Sequence, residues 1–182
     1  NTSNEFKINL KQHQKALVYK ALEINEEYRN TKYNYGCFTD TPGTGKTYSI
    51  LAYIYFHKLL NNNKSINLIV VPNNIYTQWR NSIYNFFHSD NTIFNNYNII
   101  ITPAINYILL SQTLNMYKFK FDNIIFDEID TIKSFIKESI NSSMIWFVSA
   151  SLDNCIDVNS NLMIIGYYHI PLNVILHNQC IC

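Results

Sequence analysis

Glycine is scarce in this 182-residue chain, which contains only four. Arginine is scarcer still, occurring at Arg29 and Arg80 alone. The four cysteines, Cys37, Cys155, Cys180 and Cys182, are too few and too irregularly spaced for the disulfide framework of a small secreted protein. No basic-then-apolar signal segment opens the chain either. Both features predict a reducing, intracellular setting. No apolar run approaches the roughly 20 residues needed to span a bilayer, so the chain reads as soluble. The formal net charge is only +1, and a nucleic-acid contact would therefore need a local groove rather than a global basic field. His13, His57, His88, His169 and His177 show no metal-ligand spacing. The closing Cys-Ile-Cys reads as strand residues rather than a zinc site, because no further ligands lie nearby. The Asn-Ser-Ser at 141–143 is a chance glycosylation pattern. There is no repeat and no long linker, only polar breaks at 61–63 and 88–91.

What is present is a single domain's length with an alternating pattern. Short apolar, β-branched runs at 35–39, 66–71, 97–101, 123–126 and 144–149 predict strands buried on both faces. Between them, 46–61, 74–87, 103–114 and 129–140 carry helix-like spacing. The alternation predicts an α/β fold, a mainly parallel sheet with helices on both faces and a ligand crevice at the carboxyl ends of the strands.

Two of the four glycines, Gly43 and Gly45, fall inside Asp40-Thr41-Pro42-Gly43-Thr44-Gly45-Lys46-Thr47. This stretch matches the phosphate-loop pattern everywhere except at its first position, where Asp40 replaces Gly. Such a loop turns backbone N–H groups inward around phosphate oxygens and opens a helix whose positive end adds to the attraction. Lys46 would reach the β and γ phosphates, and the Thr47 hydroxyl would ligate Mg²⁺. The cofactors expected are therefore ATP and Mg²⁺. A loop of this kind calls for an acidic partner at the end of another strand. Asp127 and Glu128 follow the apolar run 124–126. Asp127 would hold Mg²⁺, directly or through water, and Glu128 would orient the water that attacks the γ phosphate. The bland alternative is a solvated helix start, where acidic residues are favoured anyway.

These two motifs resemble AAA+ ATPases as well as superfamily 2 helicases and Swi/Snf-type translocases. Leu10-Lys-Gln-His-Gln14, about 30 residues before the loop, resembles the element in which a Gln, here Gln14, reads the adenine edge. The stretch 70–83, with Pro72, Gln78 and Trp79, resembles the next helicase motif. The stretch 99–109 resembles a segment in which a Thr, here Thr102, meets the nucleic-acid backbone. Ser149-Ala150-Ser151 resembles the Ser-Ala-Thr element that couples hydrolysis to motion, with Ser in the last place. Even Asp40 fits, because Swi/Snf-type loops also begin with Asp. The Gln-Trp helix and the 81 positions from Lys46 to Asp127 (127 − 46) favour this family over AAA+. For the smaller elements simpler readings stand beside these: Gln14 as a surface residue of an amphipathic helix, Trp79 as a packing residue, Thr102 as a helix cap.

The resemblance, covering about residues 8–151, implies a RecA-like, three-layer ATP-binding lobe in residues 1–166. The strand or linker segment 167–182 would lead toward a second lobe that supplies arginines to the γ phosphate. The partners implied are DNA, with RNA open, and that second lobe. A non-catalytic nucleic-acid-binding or structural module that retains the fold is the alternative of a different class. Frequent Asn, Ile, Tyr and Lys with little Arg suggest AT-rich coding, as in some large DNA viruses, phages and protozoa. If the source is viral, a virion or host-cell replication site is the expected location.

Overall fold

The computed structural model describes residues 9–87, 98–157, 162–166, 168–171 and 180–181. The polar break at 88–91, Tyr97, His88, His177 and Cys182 lie outside them. A long helix α1 (Gln12–Tyr28) precedes strand β1 (Tyr35–Phe38), helix α2 (Lys46–Leu60), β2 (Asn67–Val71) and α3 (Tyr76–Phe87). Then follow β3 (Ile99–Pro103), α4 (Tyr107–Met116), β4 (Phe121–Phe126), the single turn α5 (Ile129–Ile132) and β5 (Ser142–Val148). The strands are ordered β3-β2-β4-β5-β1, and every pairing between them is parallel. A short strand β9 (Cys180–Ile181) adds a sixth, also parallel, beside β1.

The apolar runs are continuous because both faces of this sheet are covered. In β2, Ile69 and Val71 enter a core shared with α1, α2 and α3, whereas Leu68 and Val70 enter a second core with Tyr107 of α4 and Ile129 of α5. Trp146 and Phe147 divide in the same way on β5. A small antiparallel sheet, β6 (Ile156–Asp157), β7 (Leu162–Ile165) and β8 (Tyr168–Pro171), closes the second face, with Ile165 and Tyr168 in its core. The boundary drawn at residue 166 thus falls in the turn of the β7–β8 hairpin. The segment beyond it adds a strand to each of the two sheets.

One helix departs from expectation. The spacing over 129–140 reflects burial of Ile129, Ile132, Ile136 and Ile140, but helix persists for only four residues before a 3₁₀ turn at Lys133–Phe135. Gly166, at φ +54, lies so close that an added Cβ would fall on the carbonyls of Lys133 and Ile136. Hairpin packing therefore replaces a continued helix there, and an irregular chain buries its isoleucines at helix-like intervals. The strand expected over 97–101 also shifts: β3 runs through Thr102 and Pro103, and 3₁₀ structure at Ala104–Asn106 precedes α4. Thr102 is a strand residue, and no side-chain cap is made at that helical start.

A polar network crosses the core between α1, α2 and the sheet. Asn25 Nδ2 donates to Tyr53 Oη at 2.7 Å, and Tyr53 Oη donates to Asn123 Oδ1 at 2.6 Å. Trp146 Nε1 donates to Tyr53 Oη at 3.0 Å, and Asn123 Nδ2 to Asn67 Oδ1 at 2.8 Å. His57 joins it, with Nδ1 3.2 Å from Asn123 Nδ2. Burial disfavours the imidazolium and lowers the His57 pKa to about 4. The unfolded chain therefore takes up this proton first as pH falls, so the stabilisation from neutral His57 is complete above pH 6.5 and is lost toward pH 4. Asp127, raised to about 6 mainly by burial, shifts total stability in the opposite sense over part of that range. The quantity to measure is thus a difference. The destabilisation by His57→Gln should shrink by about 2 kcal/mol between about pH 7 and about pH 4.5 in urea titrations. A pH-independent difference would remove His57 as a buried neutral group.

Candidate nucleotide-binding site

The loop between β1 and α2 turns at two glycines, Gly43 at φ +82 and Gly45 at φ +88, backbone conformations that cost other residues energy. Gly45 is the N-cap of α2, so Lys46 and Thr47 are its first helical residues. Asp40, the departure from the glycine pattern, has a local function: its Oδ1 accepts from the Thr41 N–H at 2.8 Å. The Thr44 hydroxyl closes the loop further by donating to the Thr41 carbonyl at 2.9 Å. Lys46 Nζ lies within the loop, donating to the Asp40 and Thr41 carbonyls at 2.6 and 3.0 Å.

Gln14 supports the loop from outside. Its Nε2 donates to the Thr44 and Gly45 carbonyls, both at 3.3 Å, and its Oε1 accepts from the Lys11 N–H at 2.9 Å. The residue is buried, which sets aside the surface-residue reading. In this structure its amide holds the loop backbone. His13, on the same helix, brings Nε2 within 3.2 Å of the Thr44 carbonyl.

Asp127 and Glu128 stand at the carboxyl end of β4. Asp127 is 7% exposed, and its backbone N–H donates to the Val70 carbonyl at 2.9 Å. Burial raises its pKa to about 6; the hydrogen bond from Trp79 opposes the shift, the charge of Glu128 adds to it, and Lys46 lowers it. Glu128 is exposed at φ 46, ψ 51. A left-handed non-glycine residue of this kind costs roughly 1–3 kcal/mol and persists where surrounding structure demands it. Beyond β5, Ser149 Oγ donates to Asp130 Oδ1 at 2.6 Å and accepts from the Ser151 N–H at 2.9 Å. Ser151 itself is exposed.

Pro42, Gly43, Gly45, Lys46, Thr47, Asp127, Glu128 and Ser149 line one cavity of about 350 Å³. Residues more than 100 positions apart thus meet at the strand ends. Thr41 and Thr44 belong to the same loop without lining the cavity. Gln78, which the helicase resemblance offers as a nucleic-acid contact, lines this cavity together with Trp79. Thr102 is buried near the end of β3, outside the cavity. Sequence reasoning assigned no role to Asp130, although it lies only two positions after Glu128, and offered Trp79 as a packing residue. Its indole N–H donates to Asp127 Oδ2 at 2.7 Å.

Residues 7–153 match the family described as type III restriction enzyme, res subunit. The chain belongs to this family. As a res-subunit domain it is a RecA-like lobe of the superfamily 2 type, and this decides against AAA+. No curated protein matches it. Among solved structures, the SWI2/SNF2 ATPase core of Sulfolobus solfataricus in complex with dsDNA is 20% identical, with a TM-score of 0.58 over 80% of this chain. The type ISP restriction-modification enzyme LlaGI, in complex with a DNA substrate mimic, is 17% identical over 80% of the chain, with a TM-score of 0.58. The UvsW helicase of bacteriophage T4 is 15% identical over 81%, with a TM-score of 0.54. This res-subunit domain spans 33%, 18% and 54% of those three chains. With an archaeon and a phage both among them, the matches do not favour a viral source. No helix among the described residues is long and apolar enough to cross a membrane.

The side chains present suit magnesium. The Thr47 hydroxyl and Asp127 carboxylate are hard oxygen donors lining one cavity. No cluster of three or more His, Cys, Asp or Glu among the described residues could cage a metal. One carboxylate plus substrate phosphates is the arrangement Mg²⁺ accepts and softer metals do not require.

Proposed function

We propose that this domain binds ATP with magnesium and hydrolyses it as the first lobe of a two-lobed, nucleic-acid-dependent motor, with DNA as the track. The observation that carries this reading is the convergence of Lys46, Thr47, Asp127 and Glu128 on one cavity. A second RecA-like lobe, reached through the segment after residue 166, would complete the site; the partial coverage of the longer relatives supports that. DNA in the complexes of two of those relatives supports the choice of track.

In this reading the loop N–H groups and the α2 N-terminus receive the phosphates. Lys46 exchanges its two loop carbonyls for phosphate oxygens, which are charged and therefore stronger acceptors. Thr47 and Asp127 hold the magnesium, which when bound neutralises charge on the β and γ phosphates. Glu128 orients the attacking water from its exposed position on the cavity wall, and Ser149 carries the change outward through Asp130. Gln14 senses the nucleotide through the Thr44 and Gly45 carbonyls, and reading of the adenine edge would draw its amide away from them. Thr102, at the end of β3, is the residue proposed to approach the nucleic-acid backbone.

Calorimetric titration with Mg-ADP and Mg-ATP tests the site. Lys46→Ala should weaken binding about tenfold or more, as loss of a charged hydrogen bond predicts. Equal affinity in the mutant would remove the loop from the site.

A further inference from the structure

Trp79 lies 48 residues before Asp127, yet the two are joined by a 2.7 Å hydrogen bond in the buried wall of the cavity. Packing alone does not require tryptophan here. A phenylalanine would fill most of the space, and a buried indole N–H demands a polar partner. That partner is the carboxylate at the end of β4, and it accepts through Oδ2. The Glu128 backbone also hydrogen-bonds the carboxylate, which with about four lone-pair sites on its two oxygens retains acceptor capacity toward the cavity that Asp127 lines.

The donor is held rigidly. Trp79 is 2% exposed and packs in one core with Ile83 and Phe86 of α3. Phe86 in turn stacks on Tyr48, with ring centroids 6.2 Å apart and planes 20° from parallel. Tyr48 directly follows Thr47 at the start of α2. The indole is therefore fixed relative to both oxygen donors expected at the metal: to Asp127 by its hydrogen bond, and to Thr47 through the α2–α3 contact.

We propose that Trp79 is a positioning residue of the magnesium site, orienting Asp127 so that its carboxylate and the Thr47 hydroxyl face one ion. The inference rests on the magnesium-nucleotide reading above. It assigns the tryptophan of the Gln-Trp helix to the metal rather than to core volume alone. Partners that orient a metal ligand from outside typically change metal affinity by 10–100-fold when removed.

The test measures ADP binding by calorimetry over a Mg²⁺ series and in excess EDTA. It compares the wild-type chain, Trp79→Phe, and a chain carrying 3-benzothienylalanine at position 79, where sulfur replaces the N–H and the ring size is kept. The Mg²⁺ concentration for half-maximal ADP binding should rise about 10–100-fold in both variants. Metal-free ADP binding should change little, and the thermal midpoint of the benzothienyl chain should stay near wild type. An unchanged Mg²⁺ requirement in the benzothienyl chain would overturn the inference, as would a parallel fall of metal-free and metal-dependent binding, which marks a packing role. If wild-type ADP binding ignores Mg²⁺, the magnesium reading fails, and the inference falls with it.

Discussion

Phosphate release from ATP by residues 1–182 alone should stay close to the uncatalysed background, and DNA should stimulate it little. The cavity wall supplies the loop, both expected metal ligands and Glu128, but no arginine lines it. Arg29 ends α1, where its Nη1 donates to Asn61 Oδ1 at 2.9 Å. Arg80 is exposed on α3, beside Trp79 but absent from the cavity lining. An arginine that neutralises the transferring phosphoryl group is worth roughly 10³–10⁵ in rate, and no group on this cavity wall replaces it. Nucleotide binding uses the loop and Lys46, so it should persist where turnover does not. A malachite-green assay with and without single- and double-stranded DNA measures this directly. Brisk, DNA-stimulated turnover by the chain would mean that self-association supplies an arginine in trans, and would overturn the two-lobed reading.

In a protein containing both lobes, Glu128→Gln should bind Mg-ATP as tightly as wild type and lose roughly 10²–10⁴ in kcat, the range supplied by a positioned general base. Gln preserves length and shape, and Glu128 is an exposed residue on the cavity rim, so folding should be little affected. Its left-handed backbone separates it from Asp127: as the N-cap of α5, it stands out of the strand while its neighbour stays buried. Two adjacent carboxylates thereby meet different surroundings, as the two tasks proposed for them require. Steady-state hydrolysis paired with nucleotide titration reports both parameters. Unchanged kcat would move the base to another residue, and a parallel loss of binding would mean that Glu128 holds the ligand rather than the water.

The nucleotide loop was legible because its chemistry is contiguous. Gly43 and Gly45 supply positive φ, Lys46 and Thr47 follow within the same turn, and an apolar strand precedes them. Local sterics alone make such a stretch specific. The acidic pair was legible for a similar reason, since it directly follows a buried run. The inner strands were readable because burial on both faces leaves little polar interruption, whereas edge strand β3, with Ile100 exposed, was readable from its β-branched run alone. The same logic misled over 129–140: isoleucines spaced for a buried face read as helix whether the backbone is helical or, as here, leaves the helix after one turn and packs under Gly166.

Side-chain partnership across distant segments was decided by the tertiary structure. Nothing local in residues 76–87 says that Trp79 gives its N–H to Asp127, or that Gln78 lines the same cavity as Lys46. Nothing near residue 14 says that its amide holds the carbonyls of Thr44 and Gly45. The Asn25–Tyr53–Asn123 network, which joins residues 98 positions apart, left no periodic signal, because each polar residue interrupts an apolar pattern singly and is satisfied only by the others. By itself the sequence determined the turn, the strands and the contiguous groups of the proposed phosphate loop. The sheet order, with β4 between β2 and β5, decided which of the remaining side chains meet them. A hydrogen bond between remote residues is selected by the folded geometry, not by the conformational preference of either segment alone.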